Sequence, residues 1–390
     1  MRADEFLKAL RPFVNGDLEY TVLSPGGIYF IYEPKVGFER TVAYFAMVAS
    51  NSECVLDYRR TKELASILAG LNRKSEVNLI YDRAHNQLAV GSKIGAGSVY
   101  RWVAAYSGAD TAKVFEQLKR FGGDTKRLDR LSDAVSDRSP ARMFGQETKH
   151  IGKISLYGDY ADVSYEIASS GTYADFCYID KIDRKWGIPA IYATDGYRLI
   201  KRALDGSELS ESIKLPSKVL STIRKLGCES LTFEQTNNGC TAVLGFARIG
   251  DRLHRYAIIY ATPLRNFPDC SRILKEKYDF KVCFSFNDRD RLANALKNMV
   301  ALNKKKPHFK FATSGVFATI SPVNGGGEVL APVSVHQGVG NECSFTFDGR
   351  YLLTALNSSK SNQRFGFTSP SSPIYAIAPD SEYVFTPMRN

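Results

Sequence analysis

Apolar positions recur along this chain with two periods, and their alternation lays out its elements. Residues 2 to 11 place Phe6, Leu7 and Leu10 on one helical face before Pro12 ends the run. Residues 17 to 56 read as β, punctuated by Gly26-Gly27 and Pro34. From about 59 to 71, Leu64, Ile67, Leu68 and Leu71 follow the spacing of a buried helical stripe, and strands are expected over 76 to 81, 87 to 92 and 98 to 105. The rhythm then returns. A helix over 157 to 169 precedes strands at 174 to 181 and 188 to 194. A second, over 217 to 227, turns Val219, Leu220, Ile223 and Leu226 inward and stops at Gly227, ahead of strands at 231 to 236, 239 to 246 and 255 to 261. In the last third, residues 287 to 302 form a helix with Leu292, Ala295, Leu296 and Met299 inward, followed by strands at 309 to 313 and 316 to 321. A helix over 348 to 356 and strands at 373 to 378 and 382 to 386 close the pattern.

Each third holds two rounds of helix plus sheet, which suggests an architectural repeat of about 110 to 120 residues without a repeat in sequence. The expected class is α+β, with domains at 1–108, 151–275 and 276–390. Residues 109–150 stand apart. They carry nine basic and seven acidic residues and read as an extended linker, with Val114, Phe115 and Leu118, then Leu128 and Leu131, at the spacing of one or two short helices.

Composition narrows the function. With 390 residues, 44% hydrophobic and 24% charged, the chain is globular, and several cores fit its length. Its apolar runs are too short to cross a bilayer, and its start is acidic within five residues and unlike a signal peptide, so a cytoplasmic protein is expected. Seven Cys (54, 177, 228, 240, 270, 283 and 343), odd in number and without a C-x-x-C pair, read as reduced core thiols. The five His (85, 150, 254, 308 and 336) lack metal-ligand spacing, so no metal or other cofactor is expected. Lys and Arg total 52 against 41 Asp and Glu, a net charge of +11, which makes polyanions plausible partners.

Catalytic signatures are missing. There is no P-loop, no G-x-G-x-x-G and no G-x-S-x-G elbow. Gly95-Ala96-Gly97 and Gly325-Gly326-Gly327 lack the strand-to-helix context of a phosphate cradle and read as turns. The Asp288/Asp290 pair begins a helix, where its first turn explains it. The chain reads as a non-enzyme.

Three segments resemble one family, the bacterial sliding clamp, which is the beta subunit of the replicative DNA polymerase holoenzyme. Ala193-Thr194-Asp195-Gly196-Tyr197-Arg198-Leu199 is similar to that family's A-T-D-G-H-R-L, with Tyr197 in place of His. Asn266-Phe267-Pro268-Asp269-Cys270-Ser271-Arg272-Ile273-Leu274 resembles its F-P-D-Y-x-R-V-L run. The end, Tyr383-Val384-Phe385-Thr386-Pro387-Met388-Arg389-Asn390, looks like its Y-V-V-M-P-M-R-L. Order and separation also agree. The resemblance is strong from about 150 onward; before that only Val55 through Trp102 is family-like, and the 109–150 linker is longer than the family's connection.

The resemblance implies a ring of two head-to-tail copies, six clamp domains with helices lining a pore for double-stranded DNA, that tethers a polymerase at the replication fork. Pore residues would be Arg59, Arg60, Lys62, Arg73, Lys218, Arg224, Lys225, Arg289, Arg291, Lys297 and Arg350, with Tyr173 where the family carries a DNA-contacting Tyr; ordinary solvated surface charge is the alternative for each. Lys304-Lys305-Lys306 reads equally as a DNA contact or as a solubilising run. A pocket for short peptides of polymerase and clamp loader would comprise Thr194, Gly196, Tyr197, Arg198, Leu199, Pro268, Ile273, Val384, Thr386, Pro387, Met388 and Arg389. Leu199, Ile273 and Val384 read alternatively as plain core-strand residues. Tyr197 and Thr386 depart from the family's His and Met and would reshape the rim. Ring closure would pair Val300, Ala301 and Leu302 with the edge strand at Val99, Tyr100 and Trp102; Ala301, where the family has a larger apolar residue, weakens that contact, and the two aromatics add area. The competing expectation is a monomeric clamp-fold module that binds DNA or a partner protein.

Overall fold

The computed structural model describes residues 2–105 without 15–16, 24–26, 33–41, 46–53, 83 and 95–96; Val114; and residues 148–388 without 157, 171–174, 228, 237–238, 250, 276–277, 306, 315, 326 and 338–342. In chain order the elements are α1 (Ala3–Leu10), β1 (Leu18–Leu23), β2 (Ile28–Tyr32), β3 (Val42–Phe45), β4 (Cys54–Asp57), α2 (Tyr58–Gly70), β5 (Val77–Asp82), β6 (Gln87–Ile94), β7 (Gly97–Ala104) and β8 (Thr148–Ser155). Then come α3 (Gly158–Ser170), β9 (Phe176–Asp180), β10 (Ala190–Thr194), β11 (Arg198–Ala203), β12 (Glu208–Leu209), β13 (Ile213–Pro216), α4 (Ser217–Leu226), β14 (Ser230–Thr236), β15 (Cys240–Ile249) and β16 (Arg252–Ala261). The last are β17 (Val282–Phe286), α5 (Arg289–Leu302), β18 (His308–Ser314), β19 (Phe317–Pro322), β20 (Val329–Gln337), β21 (Cys343–Asp348), α6 (Gly349–Asn357), β22 (Arg364–Phe367), β23 (Ile374–Ile377) and β24 (Ser381–Phe385). The class is α+β, as the periodicity indicates. Among the described residues no helix is long and apolar enough to cross a membrane.

The chain folds into two compact units: Met1–Leu156 with Glu208–Ser210 and Val219–Leu264, and Tyr157–Ser207 with Glu211–Lys218 and Arg265–Asn390. Sheet continuity sets this grouping. In the first unit one sheet runs β12-β8-β14-β15-β16-β3-β2-β1-β4, so strands from both ends of the unit meet at the antiparallel β16–β3 pair, with Tyr256 opposite Phe45. A second sheet, β5-β6-β7, completes this unit. In the second unit the order is β13-β9-β10-β11-β24-β23-β22-β17-β20-β19-β18-β21, and the joint is the antiparallel β11–β24 pair.

Three helices, α2, α5 and α6, start by one device. Asp57 caps α2 by accepting the Arg60 N–H at 2.8 Å, Asp288 caps α5 through the Arg291 N–H at 3.0 Å, and Asp348 caps α6 through the Arg350 N–H at 2.9 Å. Each carboxylate satisfies an orphan donor and faces the positive end of the helix dipole. The core of the first unit centres on Phe13, stacked on Phe30 at 4.3 Å and edge-on to Phe45, with the Tyr32 hydroxyl donating to Phe13 O at 2.8 Å. In the second unit a chain of rings through Phe284, Phe311, Phe345 and Phe367 fills the space between strands.

Eight strands lie outside the elements expected from the sequence, β8, β11, β12, β13, β17, β20, β21 and β22, and two of them show why. The alternation of β8 breaks at Gly152, where φ is +149° and the register against β14 slips by one residue; a side chain there would lie 2.1 Å from Glu208 O. The sequence of β11, Arg-Leu-Ile-Lys-Arg-Ala, carries three cations, yet every residue of it is buried. Val114 is helical and buried, whereas the rest of the helices expected at 109–147 lie outside the described residues. Of the thiols, Cys54, Cys177 and Cys240 are buried and free and Cys270 and Cys283 are partly buried and free; burial pushes Cys54 up to about 12 and Cys270 to about 11.

Candidate functional site

The tightest concentration of candidate residues is the turn between β10 and β11. Thr194 Oγ1 accepts the Gly196 N–H at 3.1 Å and donates to Arg198 O at 2.9 Å, while Asp195 Oδ1 accepts the N–H groups of Tyr197 and Arg198 at 3.0 and 2.9 Å. Gly196 sits at φ +91°, a left-handed conformation suited to glycine, and this pushes Tyr197 out to 64% exposure. Arg198 turns inward instead. Its guanidinium donates to Asp195 Oδ2 and Glu166 Oε1 at 2.7 Å each and to Thr354 Oγ1 at 3.2 Å, and lies 5.0 Å from the Tyr351 ring. Arg198 therefore braces the helix-facing side of the sheet.

Strand pairing brings the chain end to this turn. Leu199 opposes Val384, and Val384 opposes Tyr375 on β23, so Thr194, Leu199, Val384 and Tyr375 form one row across four strands. Leu199 and Val384 are buried strand residues, whereas Tyr375 is half-buried and its hydroxyl donates to Ile273 O at 3.3 Å. Ile273 is exposed, and Pro268 is half-buried. Beyond β24, Thr386 donates its N–H and its hydroxyl to Tyr197 O at 2.9 and 3.2 Å, and Met388 donates its N–H to Thr346 O at 2.7 Å. Thr386, Pro387 and Met388 are all half-buried. Turn, loop and tail thus converge on one apolar row, with half-buried Met388 as an adaptable side chain and exposed Ile273 and Tyr197 at the rim. Arg389 lies outside the described residues.

The next row on the same face is ionic. Tyr178, Tyr192, Lys201 and Glu382 follow one another across β9, β10, β11 and β24. Lys201 Nζ reaches Asp183 Oδ2 at 2.9 Å and Glu382 Oε2 at 3.5 Å, while Lys185 pairs with Glu382 Oε1 and the Tyr192 hydroxyl donates to Asp183. Burial raises the Asp183 pKa, but the Tyr192 hydroxyl and Lys201 outweigh it and hold the carboxyl below its ordinary value. Phe267 closes the row from above, stacked at 5.6 Å on Tyr178 and edge-on to Tyr192. Phe267, Tyr375 and the Lys201–Glu382 pair support the site, yet the sequence reading singled out none of them. Phe267 stood inside a quoted motif; the others have no signal short of strand register.

Basic candidates divide by what they touch. Arg59, Lys62, Arg73, Lys218, Lys225, Arg291 and Lys297 are exposed, and Arg224 is half-buried. Arg60 pairs with Asp57 at 2.7 Å, and Arg350 clamps Asp348, so both brace helix starts. Arg289 is half-buried and donates to the carbonyls of Ser359 and Ser361, tying down that loop. Tyr173 lies outside the described residues. Lys304 and Lys305 are exposed.

On the three-stranded sheet, the rows Ile80–Ala89–Trp102 and Asn78–Gly91–Tyr100 share a face. Tyr100 and Trp102 are each 50% exposed, and the Tyr100 ring lies so close to Gly91 that a side chain there would come within 2.7 Å of it. The backbone of Val99 pairs with Ser92 on the same sheet. In the second unit α5 ends in half-buried Val300, exposed Ala301 and Leu302, the last 83% exposed.

No family model matches the chain, and no curated protein matches its sequence. Solved structures do match. A crystal structure of the DNA polymerase sliding clamp from Pseudomonas aeruginosa with ligand aligns with TM-score 0.64 at 15% identity, covering 100% of this chain and 99% of that one. Pol III beta of Caulobacter crescentus aligns with TM-score 0.65 at 17% identity, again over 100% and 99%. The chain has the bacterial sliding-clamp fold. The sequence resemblance, strongest after residue 150, extends in fold to the whole chain.

Proposed function

We propose that this chain is a sliding clamp: a DNA polymerase processivity factor that closes head to tail with a second copy, encircles double-stranded DNA and holds partner proteins by short peptides. The observation that carries the reading is coverage, since the alignment takes in all of this chain and 99% of each of the two clamps named above. The three domains at 1–108, 151–275 and 276–390 are part of the same reading, with 109–150 as the connection.

Physical chemistry supports each part. A net charge of +11 with exposed Lys and Arg on the helices suits attraction to phosphates without fixed register, which permits sliding. The aromatic face of Tyr100 and Trp102 and the exposed Leu302 are apolar area suited to mutual burial at a subunit joint. The apolar row from Leu199 to Tyr375, rimmed by Ile273, Met388 and Tyr197, suits an extended peptide with hydrophobic anchors. Replication at the fork places this activity in the cytoplasm.

Sedimentation velocity over a dilution series tests the closed ring. A species of twice the chain mass that persists on dilution is expected. A stable single-chain species would replace the ring with a monomeric clamp-fold module that binds DNA or a partner protein.

A further inference from the structure

The apolar row of the proposed pocket continues beyond Tyr375. On β22 Tyr375 opposes Gly366, which has no side chain, and the Phe280 ring takes the vacant place: a Cβ there would meet that ring at 2.3 Å. Tyr278 lies parallel to Phe280 with ring centres 5.3 Å apart, and the two rings stand 4.8 and 5.5 Å from that of Tyr375. All three residues are half-buried. Hydrogen bonds fix the two tyrosines. The Tyr375 hydroxyl donates to Ile273 O at 3.3 Å, and the Tyr278 hydroxyl accepts the Lys275 N–H at 3.2 Å and donates to Glu382 Oε1 at 3.4 Å. Rings already held in this way lose little freedom when a ligand lands on them.

Charge and spacing define the occupant. Arg364 opposes Ile377 and lies two residues from Gly366 on β22, so it shares the face of the rings. It is exposed, as are Lys275 and Lys281, whereas the exposed carboxylate described within 275–281 and 364–366 is Asp279. Aromatic rings favour an aromatic guest beyond the area it buries, and the surplus of cations favours an acidic neighbour. β22 and β23 lie inside their sheet, so a peptide docks here by its side chains rather than by adding a strand. From Val384 to Gly366 is two strand spacings, about 10 Å, which an extended peptide covers in about three residues.

We propose that Tyr278, Phe280 and Tyr375 form a further subsite of the pocket, which takes an aromatic side chain of the partner peptide about three residues from its aliphatic anchor, beside an Asp or Glu that pairs with Arg364. The inference rests on the pocket reading above and adds what that pocket selects; every residue it uses lies in the second unit. The test selects a phage-displayed random library of about twelve-residue peptides, long enough to span anchor and subsite, on the full chain. A selected peptide and its aromatic-to-Ala analogue are then titrated by fluorescence anisotropy. Enriched peptides should carry an aromatic residue with an acidic neighbour at the stated spacing, and the analogue should bind about tenfold more weakly. Phe280→Ala should cost the selected peptide the same factor and the analogue nothing. Arg364→Glu, at an exposed position that leaves the rings in place, should weaken the selected peptide and spare a version with its acidic residue neutralised. Enriched peptides without an aromatic preference, or an aromatic gain that survives Phe280→Ala, would overturn the subsite and leave the pocket standing. A selection that enriches nothing, or peptides indifferent to Tyr197→Ala and Phe280→Ala alike, would remove pocket and subsite together.

Discussion

Arg198 keeps its charge at 6% exposure because Asp195, Glu166, Thr354 and the Tyr351 ring surround it. Removing one member of such a buried set strands the rest, so Arg198→Ala should destabilise the protein by about 3–5 kcal/mol in denaturant unfolding, with Arg198→Lys between it and the parent. Asp183 acts the same way on the other face, and its effect depends on pH. Its folded pKa lies below the unfolded value, so the stability it contributes is present above about pH 4 and is lost as the pH falls through the folded value. Unfolding midpoints should therefore converge for the parent and Asp183→Asn as the pH is taken from neutral, where they differ, down through that folded value. At this scale the sequence was informative about identity and silent about role. Thr194, Gly196 and Tyr197 stood out through a motif, but that Arg198 faces the helices and Lys201 the opposite side of the sheet follows only from which strand pairs with β11.

Elements were legible where one face is wet. Helices α2 and α5 each bury a stripe and leave their other faces wet, and apolar spacing found them, like the more deeply buried α4, within one or two residues. Strands β8 and β11 failed that test for opposite reasons, a bulge in one and buried ion pairs in the other. The same limit applies to the site. Its three segments, around 194–199, 266–274 and 384–388, were each visible, whereas their junction depends on the Leu199–Val384–Tyr375 row, which joins residues far apart in sequence. Two predictions belong to elements. Tyr197 and Thr386 give the rim a shape unlike that implied by the family's His and Met, so peptides that bind ordinary clamps should bind weakly here, and Tyr197→His should tighten them; full affinity of the parent in a fluorescence titration would count against this. On the β5–β7 sheet, Trp102→Ala removes a half-exposed indole, so thermal stability should change little while the concentration at which the proposed dimer dissociates rises at least about tenfold, as for an interface aromatic. An unchanged dissociation profile would remove this face from the joint.

For the whole molecule, repetition of helix and sheet in each third of the chain anticipated the α+β clamp architecture that full-length alignment to solved clamps now gives. Sheet continuity was beyond that pattern. Compactness follows the β16–β3 and β11–β24 pairs, which weld strands distant in sequence into two units. The central claim is topological: a clamp is retained on DNA by enclosure, whereas a DNA-binding module is retained by affinity alone. The decisive measurement loads the protein onto nicked circular DNA with a bacterial clamp loader and passes the complex through a sizing column at high salt, where phosphate contacts are screened. Retention on the circle and loss after a single restriction cut that linearises it are predicted; equal release from circular and linear DNA would contradict the account.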